Sequence, residues 1–150
     1  PYSGRDPEAV WWVWATLADT AWLLYERFVA PLDAAACEAY YADHRVLARM
    51  LGVAPDRLAP DWSGFRADFD AMVASDRLDV TPLARDIAET VLHPPGDAGA
   101  ARLARSISAG LLPPRIRSAY GLAWDERREA RLAELVASVR TLRAAGTPAG

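Results

Sequence analysis

Lysine, asparagine and glutamine are absent from these 150 residues, so all 17 basic side chains are arginine. With alanine and proline abundant, this looks like the codon bias of a GC-rich genome rather than a functional signal. Acids outnumber bases 20 to 17, a net charge of −3, which lacks the electrostatic footprint of a nucleic-acid binder. Cysteine occurs once, at Cys37. An internal disulfide is therefore impossible, and a reducing, cytoplasmic setting is expected. Histidine occurs only at His44 and His93, and no His-Glu-x-x-His, Cys-x-x-Cys or Gly-rich phosphate loop is present. Gly-x-Ser-x-Gly is missing too, which leaves a hydrolase elbow without support. No apolar run reaches the roughly 18–20 residues of a membrane span. No signal peptide is visible. The chain opens on Pro1 rather than Met and is expected to be a processed or partial chain.

What is present is helical throughout. No stretch alternates at period two, and no Asn-Gly or Asp-Gly hairpin turn occurs. Caps and stops predict about six helices and no sheet, in one domain or part of one. The first runs from Pro7 to Phe28 behind Asp6 and stops before Pro31. The second runs from Ala34 to Leu51 between Asp33 and Gly52. A third follows Asp61 or Ser63 and reaches Ala74. A fourth starts at Thr81-Pro82 and ends at His93, before Pro94-Pro95. A fifth covers Ala100 to Leu112. After Pro113-Pro114, Arg115 to Tyr120 makes a short helical turn closed by Gly121. The last helix, Asp125 to Ala144, aligns Leu132, Leu135, Val136, Val139 and Leu142 on one stripe. Its other face is Arg and Glu, the pattern of a surface helix. The tail from Gly146 to Gly150 is expected to fray.

The first helix carries four of the six tryptophans, Trp11, Trp12, Trp14 and Trp22, and is apolar nearly all round. Such a helix is expected to be buried centrally. Within it lies a polar island, Thr16, Asp19 and Thr20, one turn apart and projecting in one sector. Asp19 there needs a donor or must be carried neutral. It reads either as a carboxylate bonded to an Arg or to backbone from another helix, or as an acid lining a pocket. Arg85 and Arg117 are the candidate donors.

Elsewhere the plain reading suffices. His44 lies mid-helix between Asp43 and Arg45 as a solvated or capping side chain, and His93 suits the negative end of a helix dipole. Asp68 and Asp70 alternate with Phe65, Phe69 and Met72 as ordinary amphipathicity. Arg115, Arg117, Arg127, Arg128 and Arg131 read as a solvated face paired with Glu126, Glu129 and Glu134.

Several segments, in order, resemble one family. They are Pro1-Tyr2-Ser3 through Asp6-Pro7 into Trp12-Val13-Trp14-Ala15-Thr16-Leu17-Ala18-Asp19-Thr20, then Tyr25-Glu26-Arg27-Phe28, Glu38-Ala39-Tyr40-Tyr41 and Leu51-Gly52-Val53. Pro60-Asp61-Trp62, Phe65, Met72, Val80-Thr81-Pro82 and Ala84-Arg85 follow. Gly110-Leu111-Leu112-Pro113-Pro114-Arg115-Ile116-Arg117 and Ala119-Tyr120-Gly121-Leu122-Ala123-Trp124 complete the set. Together they resemble the ER-bound oxygenases of mycophenolic-acid biosynthesis and the bacterial rubber oxygenases (latex-clearing proteins), in particular the uncharacterised bacterial branch.

The resemblance implies an all-helical domain whose characterised members hold a b-type haem through histidine and activate dioxygen. It implies that residues 1–150 form the C-terminal portion of that domain. The haem-binding histidine, with basic and threonine residues near it, is then expected upstream. Branch members commonly read Trp-Val-His-Ala-Thr-Leu where this chain has Trp12-Val13-Trp14-Ala15-Thr16-Leu17. Indole neither ligates iron nor shuttles protons as imidazole does. The expectation is a haem-dependent oxygenase-like protein acting on an apolar small molecule, incomplete or inactive as this chain and binding no haem alone. Trp14, Thr16, Asp19 and Thr20 are its candidate pocket wall. The rival is a non-catalytic helical module for a lipid-like ligand or a protein partner. The ligand-binding half of a helical transcription regulator fits the composition but not the motif string.

Overall fold

A computed structural model describes residues 6–93 and 96–146, and among these it is all-α, with seven α-helices and one short 3-10 turn. Pro1-Tyr2-Ser3, the Pro94-Pro95 stop and the tail from Thr147 to Gly150 lie outside the described residues. The chain forms two compact units, Pro1–Ala71 and Met72–Gly150, the boundary falling near the end of the third helix.

The first unit holds α1 (Pro7–Phe28), α2 (Ala34–Met50) and most of α3 (Trp62–Ala74). Each start satisfies otherwise unpaired backbone donors. Asp6 accepts from Glu8 N, Asp33 from Ala36 N at 2.8 Å, and Asp61 from Gly64 N at 2.7 Å. Of the two candidate caps of the third helix, Asp61 is therefore the one seen. Glu38 on α2 adds a second tie, accepting from Trp62 N through both carboxylate oxygens. Gly52, at φ +89°, turns the chain after α2 in a conformation few other residues adopt.

One aromatic ring from each helix forms the centre of this unit. Trp14 meets Phe65 edge-on at 5.4 Å, and Tyr41 stacks on Phe65 at 5.3 Å. All three are buried, and Ala15, Ala18 and Ala48 beside them leave room for close approach. Their polar tips are satisfied, as buried indoles and phenols require. Trp14 Nε1 donates to the His44 carbonyl at 3.0 Å and Tyr41 Oη to the Ala59 carbonyl at 2.9 Å.

The expectation that α1 is buried centrally is met on one face only. Trp11, Trp14, Ala15 and Ala18 make one buried stripe. On the other side Val13 is 52% and Leu17 54% exposed. A helix packed by two neighbours covers a sector, not a circumference, so the additional apolar residues remain in solvent.

The second unit contains α4 (Pro82–Leu92), α5 (Ala98–Leu111), α6 (Pro114–Ala119) and α7 (Glu126–Gly146). Thr81 caps α4, Asp97 caps α5 two residues earlier than the sequence pattern predicts, and Asp125 caps α7. The Ala100 and Gly99 N–H bonds hold the Asp97 carboxyl below its ordinary range. α5 packs on both α4 and α7. The α5–α7 contact is close at Gly110, where a Cβ would overlap Leu132 and stand 2.7 Å from the Trp124 ring. The stripe of α7 is buried at Leu132 and ends in solvent at Leu142.

Candidate functional site

The polar island of α1 meets α3. Asp19 forms an ion pair with Arg66, and Arg66 reaches Asp70 at 3.0 Å one turn further along α3. The pair is largely enclosed, with side chains 13% and 25% exposed. Aromatic rings surround the guanidinium. Arg66 lies 5.0 Å from the Trp22 ring centre, 5.1 Å from Phe69 and 5.8 Å from Trp62. Trp22 and Trp62 pack at 5.1 Å. Arg66 is the only basic residue on α3, and Trp62, Phe69 and Asp70 lie within one turn of it, so the helix itself assembles most of the cage.

Burial pushes the Asp19 carboxyl above its ordinary value. The Arg66 hydrogen bond and charge oppose that shift without cancelling it, and Asp70 adds to it. Desolvation thus outweighs the ion pair, as it commonly does for enclosed charges. The donor is Arg66, which corrects the expectation of Arg85 or Arg117. Arg85 donates to the Ala119 carbonyl, and Arg117 to the carbonyls of Gly110 and Leu112. Motif position favoured those two, whereas Arg66 comes from α3 through a contact 47 residues away in sequence.

The other candidates of this stretch fall in different surroundings. Trp14 is fully buried in the aromatic centre. Thr16 turns back to donate to the Val13 carbonyl at 2.9 Å. Thr20 is exposed. Beside the cage, Tyr40 Oη donates to the Ala18 carbonyl at 2.6 Å. Burial pushes the Tyr40 phenol up to about 12, against a Trp22 backbone hydrogen bond that lowers it. The Trp22 Nε1 donor is buried without an acceptor among the described residues. Such a donor is costly and marks a place where an oxygen atom is welcome.

The residues do not fit a haem as they stand. His44 lies against Tyr40 at 3.9 Å between ring centres, with Nδ1 on the Tyr40 carbonyl. His93 has Nδ1 on Glu89 and Nε2 on Arg105. Neither ring lines the cleft found in the second unit. No group of three or more His, Cys, Asp or Glu among the described residues is placed to hold a metal ion. No helix of the described residues is long and apolar enough to cross a membrane.

The basic cluster is exposed as expected, but its ion pairs run to Asp76 and Asp125. Arg128 pairs with Asp125, and Arg115 reaches the Val73 carbonyl and Asp76. Arg117 lies over the Trp124 ring at 4.6 Å, and Glu129 accepts from Trp124 Nε1. Arg115, Arg127, Arg128 and Arg131 are exposed, as a solvated face requires, and only Arg117 is part-buried.

Residues 1–143 match the family described as ER-bound oxygenase mpaB/B′/rubber oxygenase, catalytic domain. No curated protein and no solved structure matches the chain.

Proposed function

Because the chain belongs to the family of ER-bound oxygenases and rubber oxygenases, we propose that it is the C-terminal portion of a cytoplasmic, haem-dependent oxygenase-like domain acting on an apolar small molecule. The observation that carries this reading is the family match over residues 1–143, collinear with nearly the whole chain. When bound, haem would supply the dioxygen activation seen in the family's characterised members, and on this reading neither His44 nor His93 would hold it.

The first unit's part is to form a substrate wall. Trp22 and Trp62, both part-exposed, offer aromatic faces suited to a hydrocarbon. Arg66 and the unpaired Trp22 Nε1 supply donors for an oxygen atom on that substrate. Asp19 holds Arg66 in place, Thr16 and Thr20 flank it, and Trp14 backs the wall from the core.

One observation favours a second reading, a non-catalytic helical module. Trp14, which by the resemblance stands where branch members commonly read histidine, is sealed in the aromatic centre. An emulsified isoprenoid hydrocarbon, given to the full-length protein with and without haem in an oxygen electrode, separates the two. The oxygenase reading expects saturable, haem-dependent oxygen uptake above that of free haem. Binding of the hydrocarbon with no such uptake establishes the module instead.

A further inference from the structure

The second unit contains an open cleft of about 490 Å³, within the size range of small-ligand sites. Four guanidinium groups line it: Arg102 and Arg105 from α5, Arg128 and Arg131 from α7. No carboxylate lines it, although acids outnumber bases in the chain. Within each pair the arginines are three residues apart, which places them on one helix face, where like charges repel. The two helices pack together, so both pairs converge on the same space.

Little compensates this charge. Arg128 is paired with Asp125. Arg105 meets His93 Nε2, and the same imidazole meets Glu89 through Nδ1. Arg102 and Arg131 have no hydrogen bond or ion pair among the described residues. The apolar side of the cleft is built firmly. Trp124 is held by Glu129 at its ring nitrogen and by Arg117 over its face, and it packs against a Gly110 that leaves no room for a Cβ.

Guanidinium forks match the oxygen geometry of carboxylates and phosphates. We propose that this cleft binds an organic polyanion, a molecule bearing two or more carboxylate or phosphate groups on a compact apolar body that rests against Leu122 and Trp124. The site lies wholly within the second unit and is independent of the oxygenase reading.

Calorimetric titration at low salt, where surface charge is least screened, tests this with two probes. One is benzene-1,3,5-tricarboxylate and the other is inorganic pyrophosphate. Saturable one-to-one binding with a Kd below about 1 mM is expected for at least one, and the tighter probe identifies the oxyanion class. Arg102→Gln with Arg131→Gln should weaken it at least about tenfold. Replacing both by Lys keeps the charge but loses the fork, and should fall between. Arg49→Gln with Arg57→Gln makes the same charge change on exposed positions of the first unit and should leave binding within about twofold. Thermal melts confirm that each variant is folded, and the Lys pair carries the test if the Gln pair is not. The absence of saturable binding for both probes, or an equal loss in the first-unit control, overturns the proposal.

Discussion

Arg66→Met removes the charge that faces Asp19 while keeping an apolar stem against Trp22, Trp62 and Phe69. Breaking a fully buried pair from one side costs about 3–5 kcal/mol. Arg66 is a quarter exposed, so solvent reduces this to about 3 kcal/mol at pH 7. A ceiling also applies, because an unpaired Asp19 can take up a proton. At pH 7, some three units above the ordinary Asp value of 3.8, protonation costs at most about 4 kcal/mol, and at pH 5 less than about 2. The loss must therefore shrink on acidification. A melt at pH 7 should show a fall of roughly 6–12 °C, and one at pH 5 no more than about two thirds of that. Adding Asp19→Asn to Arg66→Met should restore most of the stability at pH 7. In the unaltered protein the raised Asp19 carboxyl contributes stability that is complete below 3.8 and is lost as pH rises through the folded value. Asp19→Asn alone should lack that fall. A loss of equal size at both pH values would mean that Arg66 acts through packing and refute the electrostatic account.

Trp14→Ala empties the aromatic centre and should cost about 3–5 kcal/mol, whereas Leu17→Ala on the exposed side of α1 should cost less than about 0.5; urea denaturation measures both. Gly110→Ala forces Leu132 and Trp124 apart and should cost about 1–3 kcal/mol, read as a lower denaturation midpoint at unchanged slope. Burial pushes both Tyr40 and Tyr41 to about 12, so ultraviolet titration should find two phenols ionising well above the ordinary 10. Their contribution to stability is complete below 10 and is lost as pH rises through about 12, and Tyr40→Phe should remove its share of that loss.

The helices were legible because their punctuation is local. Asp6-Pro7, Asp33, Thr81-Pro82 and Asp125 act within one turn of chain, and all of them cap as their chemistry predicts. The family was legible because its motifs are strung along the chain in order. The partner of Asp19 was not, since it depends on which faces of α1 and α3 meet across 47 residues. The side of α1 that is covered was equally hidden, because its large apolar residues lie on more of its circumference than its neighbours cover. The arginine cleft was missed for a related reason. Arg102 and Arg105 gain meaning only when α5 brings them beside Arg128 and Arg131.

The central claim, a haem-dependent oxygenase-like domain, is tested most directly by the Soret absorption of the full-length protein titrated with haem. The account predicts a stoichiometric, histidine-type band that survives His44→Ala and His93→Ala, while residues 1–150 alone give a weak, non-specific spectrum. A free-haem spectrum from the full-length protein, or a stoichiometric complex of residues 1–150 lost on replacing His44 or His93, would contradict it.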